Sequence, residues 1–298
     1  MGKRTLTGFV ILIVTALFIA SRYLAIQFFD GFIMAVSFVA CYEILKLYTS
    51  SERKSSKMYI YLALTHVLML YFAYYFSRTY TEALVYQLFI FILYFIISFI
   101  CELIYLAKHR DEEMQSDDLL LSTKRLMTIM LYPNTLLGTF YGINSFNLDK
   151  ATLIIVLVFG VTMMTDVFAY LVGMAFHKGK FATQISPKKS VSGAIGGIFG
   201  GLLFAGLALW LCYFNGWFNP FVSPTDTTLK VVLFFSLTGL LGSLITEFGD
   251  LVASSIKRIY GVKDFGKLFP GHGGMMDRID GLMFCSTVAY ILSMLFLF

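Results

Sequence analysis

Charge is what this chain has least of. Asp, Glu, Lys and Arg make up 14% of its 298 residues, where an ordinary soluble domain carries about 25%. Tryptophan (2), histidine (4), cysteine (4) and proline (5) are also few. Each scarcity excludes something. With 58% of the residues apolar and a mean hydropathy of +0.78, the chain is not a soluble enzyme, a nucleic-acid-binding domain or a disordered segment. A water-soluble globule of this size keeps most of its residues near solvent and could not hide so much apolar surface. Cys41, Cys101, Cys212 and Cys285 lie far apart in apolar stretches, with no CxxC or Cys/His cluster, so neither a zinc site nor a disulfide framework is expected. Five prolines leave no Pro-rich linker. No GxSxG pattern supports an acyl-enzyme hydrolase, and no internal repeat supports an inverted-repeat transporter.

Long apolar runs are what the chain has in their place. A helix crossing a hydrocarbon core of about 30 Å needs about 20 largely apolar residues. Nine runs qualify as candidates, at about 6–21, 26–48, 58–77, 83–107, 119–142, 151–175, 193–214, 229–252 and 281–298. The fifth contains Pro133, which predicts a kink or a shorter helix. Lys3-Arg4 before an apolar stretch resembles a signal peptide, but no small-residue cleavage site follows, so an uncleaved first span is expected. With the N-terminus in the cytoplasm, alternating nine spans puts every Lys and Arg except Arg22, Arg78, Lys150 and Lys230 on the cytoplasmic side. That asymmetry is the positive-inside pattern. The expected fold is an all-α polytopic membrane protein of about nine transmembrane helices, N-terminus inside and C-terminus outside. The net charge of +5 then reads as basic cytoplasmic loops facing anionic lipid, not as a nucleic-acid partner. The glycine-rich run from Gly193 to Gly206, with Gly193, Gly197 and Gly201 four apart, predicts close helix packing, and its start could also offer N–H groups to an anion.

Acidic residues inside spans are costly and mark function. Glu43, Glu102, Asp166, Glu247 and Asp250 qualify. Glu43 and Glu102 sit near span ends, where headgroup water can reach them. Asp166 lies deeper and needs a partner or a metal. Glu247 and Asp250, three apart, share a helix face. The segment after the eighth span is the most polar in the chain, running from Ser254 to Asp280 through Lys257-Arg258, Lys263-Asp264, Lys267 and Pro270-Gly271-His272-Gly273-Gly274. Asp277 and Asp280 follow, on one face of a helix that begins there. Carboxylates suited to a hard divalent cation stand beside cations suited to phosphate oxygens, which is the arrangement of nucleotide chemistry. A second loop, Gln184 to Gly193, adds Ser186, Lys188, Lys189 and a helix N-terminus without forming a Walker A loop. His66 and His109 read as structural or solvated, and His272 is the one histidine in a motif-like setting.

At this length the 254–280 segment resembles the signature of the phosphatidate cytidylyltransferase (CDP-diacylglycerol synthase) family. Ser254, Ile256, Lys257, Arg258, Lys263, Asp264, Gly266, Phe269, Pro270, His272, Gly273, Gly274, Asp277, Arg278, Ile279 and Asp280 fit it. So do Gly249-Asp250-Leu251, the set Asp166, Ala169, Tyr170 and Gly173, and Ser186 to Lys189. The sequence departs from the family's pattern at Ser190-Val191-Ser192, where Thr-Trp-Glu is common, and at Met174, where Arg is common. The resemblance implies transfer of CMP from CTP to phosphatidic acid, giving CDP-diacylglycerol and pyrophosphate. It implies Mg²⁺ on Asp250 and Asp277, completed by Asp280 and Asp166, with room for a second cation. Lys257 and Arg258, with Lys188 and Lys189, clamp phosphates, and His272 with Gly273 and Gly274 shapes a turn against one. Ser186, Lys263, Asp264 and Arg278 join the substrate-binding set. The chain is expected to divide into an N-terminal region of about five spans, 1–150, and a catalytic region, 151–298, with cytoplasmic loops 176–192 and 253–280. The expected place is a bacterial-type plasma membrane with the site on its cytoplasmic side, among membrane lipids, with a homodimer as the candidate assembly. Two alternatives stay open. One is a related CTP-dependent enzyme acting on another lipid phosphate or on a polyprenol, and the other an ion-coupled transporter using Asp166, Glu247 and Asp250.

Overall fold

A computed structural model describes residues 2–51, 57–77, 80–108, 127–176, 179, 186, 189–221 and 226–297. The described residues are mostly helical and contain no β-strand. In chain order the helices are α1 (Gly2–Ser21), α2 (Ile26–Ser51), α3 (Lys57–Phe76), α4 (Tyr80–Lys108), α5 (Leu136–Asn144), α6 (Leu148–Phe176), α7 (Val191–Leu209), α8 (Thr228–Ile259) and α9 (Met276–Phe296). Among the described residues five apolar segments are long enough to cross a bilayer: Ile26–Leu47, Leu148–Phe176, Val191–Phe214, Thr228–Ile259 and Met276–Phe296. Thr7–Ser21, Tyr61–Phe76 and Val85–Cys101 are shorter apolar helices. The start of the fifth expected run, before residue 127, lies outside the described residues. Its remainder is broken as Pro133 predicts. Met130–Thr135 forms a π-helical turn in which Tyr132 leaves helical geometry (φ −126°, ψ 102°), because proline disfavours helical backbone in the residue before it.

The chain divides into two compact units, Asp30–Gly142 and Met1–Phe29 with Ile143–Phe298. The first is held around a small polar knot. Asn134 accepts from the Cys41 thiol at 2.6 Å, donates to the Ala63 carbonyl at 3.2 Å and lies 3.3 Å from His66 Nδ1. His66 is fully buried and meets the Tyr94 ring edge-on, a structural histidine.

The second unit carries the functional residues. α6 and α7 approach backbone to backbone because α7 presents glycines. A methyl group added at Gly200 would sit 2.5 Å from the Met164 carbonyl oxygen, and one at Gly193 2.9 Å from that of Ala169. Small residues let apolar helices reach this distance where no water drives them together. α8 packs against α9, with Phe248 against Phe284 edge-on and Gly249 facing the Asp280 backbone. At one end of the unit a buried Lys150–Asp226 pair, 2.8 Å apart, lies under the Phe221 ring. α8 has 32 residues, about 48 Å at 1.5 Å each. That exceeds the hydrocarbon core of about 30 Å, so the turns from Asp250 to Arg258 reach past it when Thr228 stands at the opposite surface.

Candidate active site

The site begins where α8 ends. Gly261 takes a positive φ of 65°, its N–H bonds the Arg258 carbonyl at 3.1 Å, and the Val262 N–H bonds that of Lys257 at 2.9 Å. This Schellman closure stops the helix just after its basic pair and turns the chain back. The returning segment closes on itself at Phe269 and Gly273, whose N–H and carbonyl meet at 2.9 Å, while the His272 N–H bonds the Phe269 carbonyl at 2.9 Å.

Asp277, buried in the first turn of α9, fixes this segment. One carboxylate oxygen pairs with Lys257 Nζ at 2.8 Å. The other accepts from the Phe265 and Gly274 backbone N–H groups, each at 2.9 Å. Gly273 has φ +83°, and a methyl there would sit 2.7 Å from that second oxygen, so conformation and space both require glycine. The Phe265 ring lies under the Lys257 ammonium, 5.3 Å from it. Thus Lys257, Asp277, Gly273 and Gly274 come together, although Lys257 and Asp277 are 20 residues apart.

A cavity of about 590 Å³ opens between the ends of α6, α7 and α8. Asp166, Tyr170 and Gly173 line it from one face of α6, Ser186, Lys189 and Ser190 from the loop, and Glu247 and Asp250 from α8. Lys189 Nζ lies 2.8 Å from Asp250 Oδ2 and donates to the Glu247 carbonyl at 3.3 Å. Ser190 caps α7, its hydroxyl accepting from Gly193 N–H at 3.1 Å. Asp280 lies one turn after Asp277 on α9, its Oδ1 accepting from Gly281 N–H at 3.0 Å, within electrostatic reach of Asp250 and Asp166. Arg258, Lys263, Asp264 and Arg278 are exposed and are not part of the cavity wall. His272 belongs to the turn, with Nδ1 buried and without a hydrogen-bond partner among the described residues. Lys188 lies outside the described residues.

The sequence reading gave Glu247 a role only in the transporter alternative, had Tyr170 only as part of the family pattern, and had Ser190 only within the second loop and not as the cap of α7. The signals were available. Asp166, Tyr170 and Gly173 follow the i, i+4, i+7 spacing of one helix face, and a serine just before an apolar run is a cap signature.

Among the described residues no three acidic, histidine or cysteine side chains stand close enough to enclose a metal by themselves. Mg²⁺ in nucleotide sites needs less, commonly one or two carboxylates with phosphate oxygens completing the shell. Asp250, whose side chain is 39% exposed, and Asp166 offer such oxygens to the cavity. Asp277 has both oxygens committed, so the wall carboxylates are the ones that fit a cation arriving with a polyphosphate.

The sequence profile of the cytidylyltransferase family matches residues 2–296. Phosphatidate cytidylyltransferase of Thermotoga maritima is 39% identical over 130 residues, covering 44% of this chain and 45% of that protein. The enzyme of the same name from Brucella abortus is 38% identical over 146 residues, 48% of this chain and 47% of that one. That from Staphylococcus aureus is 39% identical over 134 residues, 45% and 46% respectively. Each match therefore spans just under half of the relative's length.

Proposed function

Since this chain belongs to the cytidylyltransferase family, we propose that it transfers CMP from CTP to phosphatidic acid, releasing pyrophosphate and forming CDP-diacylglycerol. The observation that carries the reading is the cavity itself, in which Lys189, Asp250, Asp166 and the Ser190-capped start of α7 converge at the ends of apolar helices. Such a place can receive a water-soluble polyanion and a lipid headgroup together. The names of the relatives supply the substrates.

The reaction needs no protein nucleophile. An oxygen of the lipid phosphate attacks the α-phosphorus of CTP, the new P–O bond forms, and the bond to the β-phosphate oxygen breaks with its electron pair leaving on pyrophosphate. Catalysis is then alignment of two polyanions and compensation of charge. Lys189 is positioned to take a phosphate, exchanging its contact with Asp250. Lys257, held by Asp277, presents a second cation beside the turn, and Arg258, Lys263 and Arg278 give the surrounding surface a positive field that attracts CTP. Mg²⁺ bound with the triphosphate supplies further charge compensation at the phosphorus, and Asp250 with Asp166 would hold it, Asp280 supporting them from α9.

The same reading includes the finer topology: nine crossings, the N-terminus in the cytoplasm, the C-terminus outside, and the site on the cytoplasmic face of a plasma membrane. The distribution of Lys and Arg supports it. It also takes 151–298 as the catalytic region and a homodimer as the assembly. Transfer of radiolabel from CTP to lipid by the purified protein tests the function, with and without Mg²⁺ and with phosphatidate, an isoprenoid-ether glycerophosphate or a polyprenol as acceptor. Label in CDP-diacylglycerol that depends on Mg²⁺ is the expected result. Label only in another lipid, or none, overturns it.

A further inference from the structure

We infer that the first helix is a working part of the site, in which Gly8 and Thr7 act as positioning residues for His272. The contacts stand by themselves, and the use made of His272 rests on the cytidylyltransferase reading above. α1 belongs to the same compact unit as residues 143–298, and both of its ends are tied there. Beyond its last turn the buried Arg22 bonds the Asn144 side chain at 2.5 Å, the Leu148 carbonyl at 3.3 Å and the Thr152 hydroxyl. Near its start, the Thr7 hydroxyl donates to the Pro270 carbonyl at 3.4 Å. One residue on, Gly8 faces the imidazole of His272. A methyl group added there would lie 3.8 Å from Nε2 and 4.0 Å from Cε1, ordinary contact for one carbon, with the ring directly beyond it.

The other side of His272 is equally fixed. Its own N–H closes the turn onto Phe269, and Phe269 closes it onto Gly273. Gly273 in turn abuts the Asp277 carboxylate. The ring thus lies between the open Cα face of Gly8 and a turn that is tied through Gly273 to Asp277 and Lys257. Its Nδ1, buried and unpartnered, is a polar atom whose cost a ligand relieves, and the helix sets where that atom points. Gly8 is the one glycine between Gly2 and Gly31, at a position where glycine weakens a helix. It leaves the ring the space that any side chain longer than a methyl group would enter. A larger residue at position 8 turns the imidazole and moves Nδ1.

The test is a volume series, Gly8→Ala, Gly8→Val and Gly8→Leu, in the full chain purified in detergent, beside His272→Ala and the double variant Gly8→Leu/His272→Ala. Two quantities are read: kcat and KM for CTP in the lipid-transfer assay, and the rate of His272 carbethoxylation by diethyl pyrocarbonate, mapped by mass spectrometry. Expected is a kcat close to wild type in Gly8→Ala and a fall that sets in at Val and reaches about tenfold at Leu, with KM for CTP changed less than roughly threefold. The labelling rate shifts in the same order, and the double variant is no slower than His272→Ala within about a factor of two. Wild-type turnover in Gly8→Leu, losses that multiply in the double variant, or a labelling rate constant across the series overturns the proposal. Where Gly8→Leu fails to fold, the Ala and Val variants carry the same ordered comparison. A wild-type chain inert towards CTP and phosphatidate defeats the functional reading alone, and the labelling series then decides the contact.

Discussion

Asp277 shows how much one carboxylate can hold. It neutralises Lys257 and receives two backbone N–H groups from separate parts of the returning segment, and hydrogen bonds to an ionised acceptor are the strong ones. Asp277→Asn keeps the shape but leaves Lys257 without its counter-charge. Loss of one partner of a largely buried pair costs about 3 kcal/mol. Turnover should fall by roughly 100-fold or more while the protein still elutes as a folded species in detergent, and near-wild-type turnover would remove Asp277 from the site. Lys189→Ala acts differently, because Lys189 faces the cavity. It should raise the KM for CTP or for phosphatidate by about tenfold, the worth of one charge-assisted hydrogen bond. Unchanged values for both would place the phosphates elsewhere. The residue types were readable in the sequence, since Lys, Asp and Gly in so apolar a chain are conspicuous. Their partners were not. Nothing in the spacing of Lys257 and Asp277 says that they touch, because the intervening segment is irregular and its path is set by the Schellman turn and the Phe269–Gly273 closure.

At the scale of elements, the α6–α7 contact shapes the cavity. Gly200 faces Met164 and Phe168 at distances that leave no space for a side chain. Gly200→Leu forces the two helices apart, costing about 1–3 kcal/mol as overpacking does, and lowers thermal stability in detergent and activity together. An unchanged melting midpoint would mean that the helices separate freely. Ser190→Ala removes the α7 cap and should cost about 1 kcal/mol. The helices themselves were legible, because apolar runs of this length admit few other structures in lipid. The glycine period announced the close packing. The fifth run was legible only in part: Pro133 marked the trouble, but the residues that satisfy the broken turn come from other helices, Cys41 and His66 among them through Asn134. The role of α1 was not legible. A uniformly apolar run says that a helix exists without saying which neighbour it serves.

Across the whole molecule, scarce charge is sorted to where it is used. On the proposed topology, a cysteine placed at 263 in a variant with its four native cysteines replaced reacts with a membrane-impermeant maleimide only once the membrane is opened. Reaction in sealed cells would reverse the orientation. The Lys189–Asp250 pair gives this economy a further meaning. On the proposed function, the cation that would take a phosphate rests on the carboxylate that would hold Mg²⁺, so that each offsets the charge of the other. A nucleotide arriving alone would strand Asp250, and a divalent ion arriving alone would strand Lys189. Together they strand neither. On that reading the two ligands are thermodynamically linked, each raising the affinity of the other by the same factor, and either one binds more weakly without its companion.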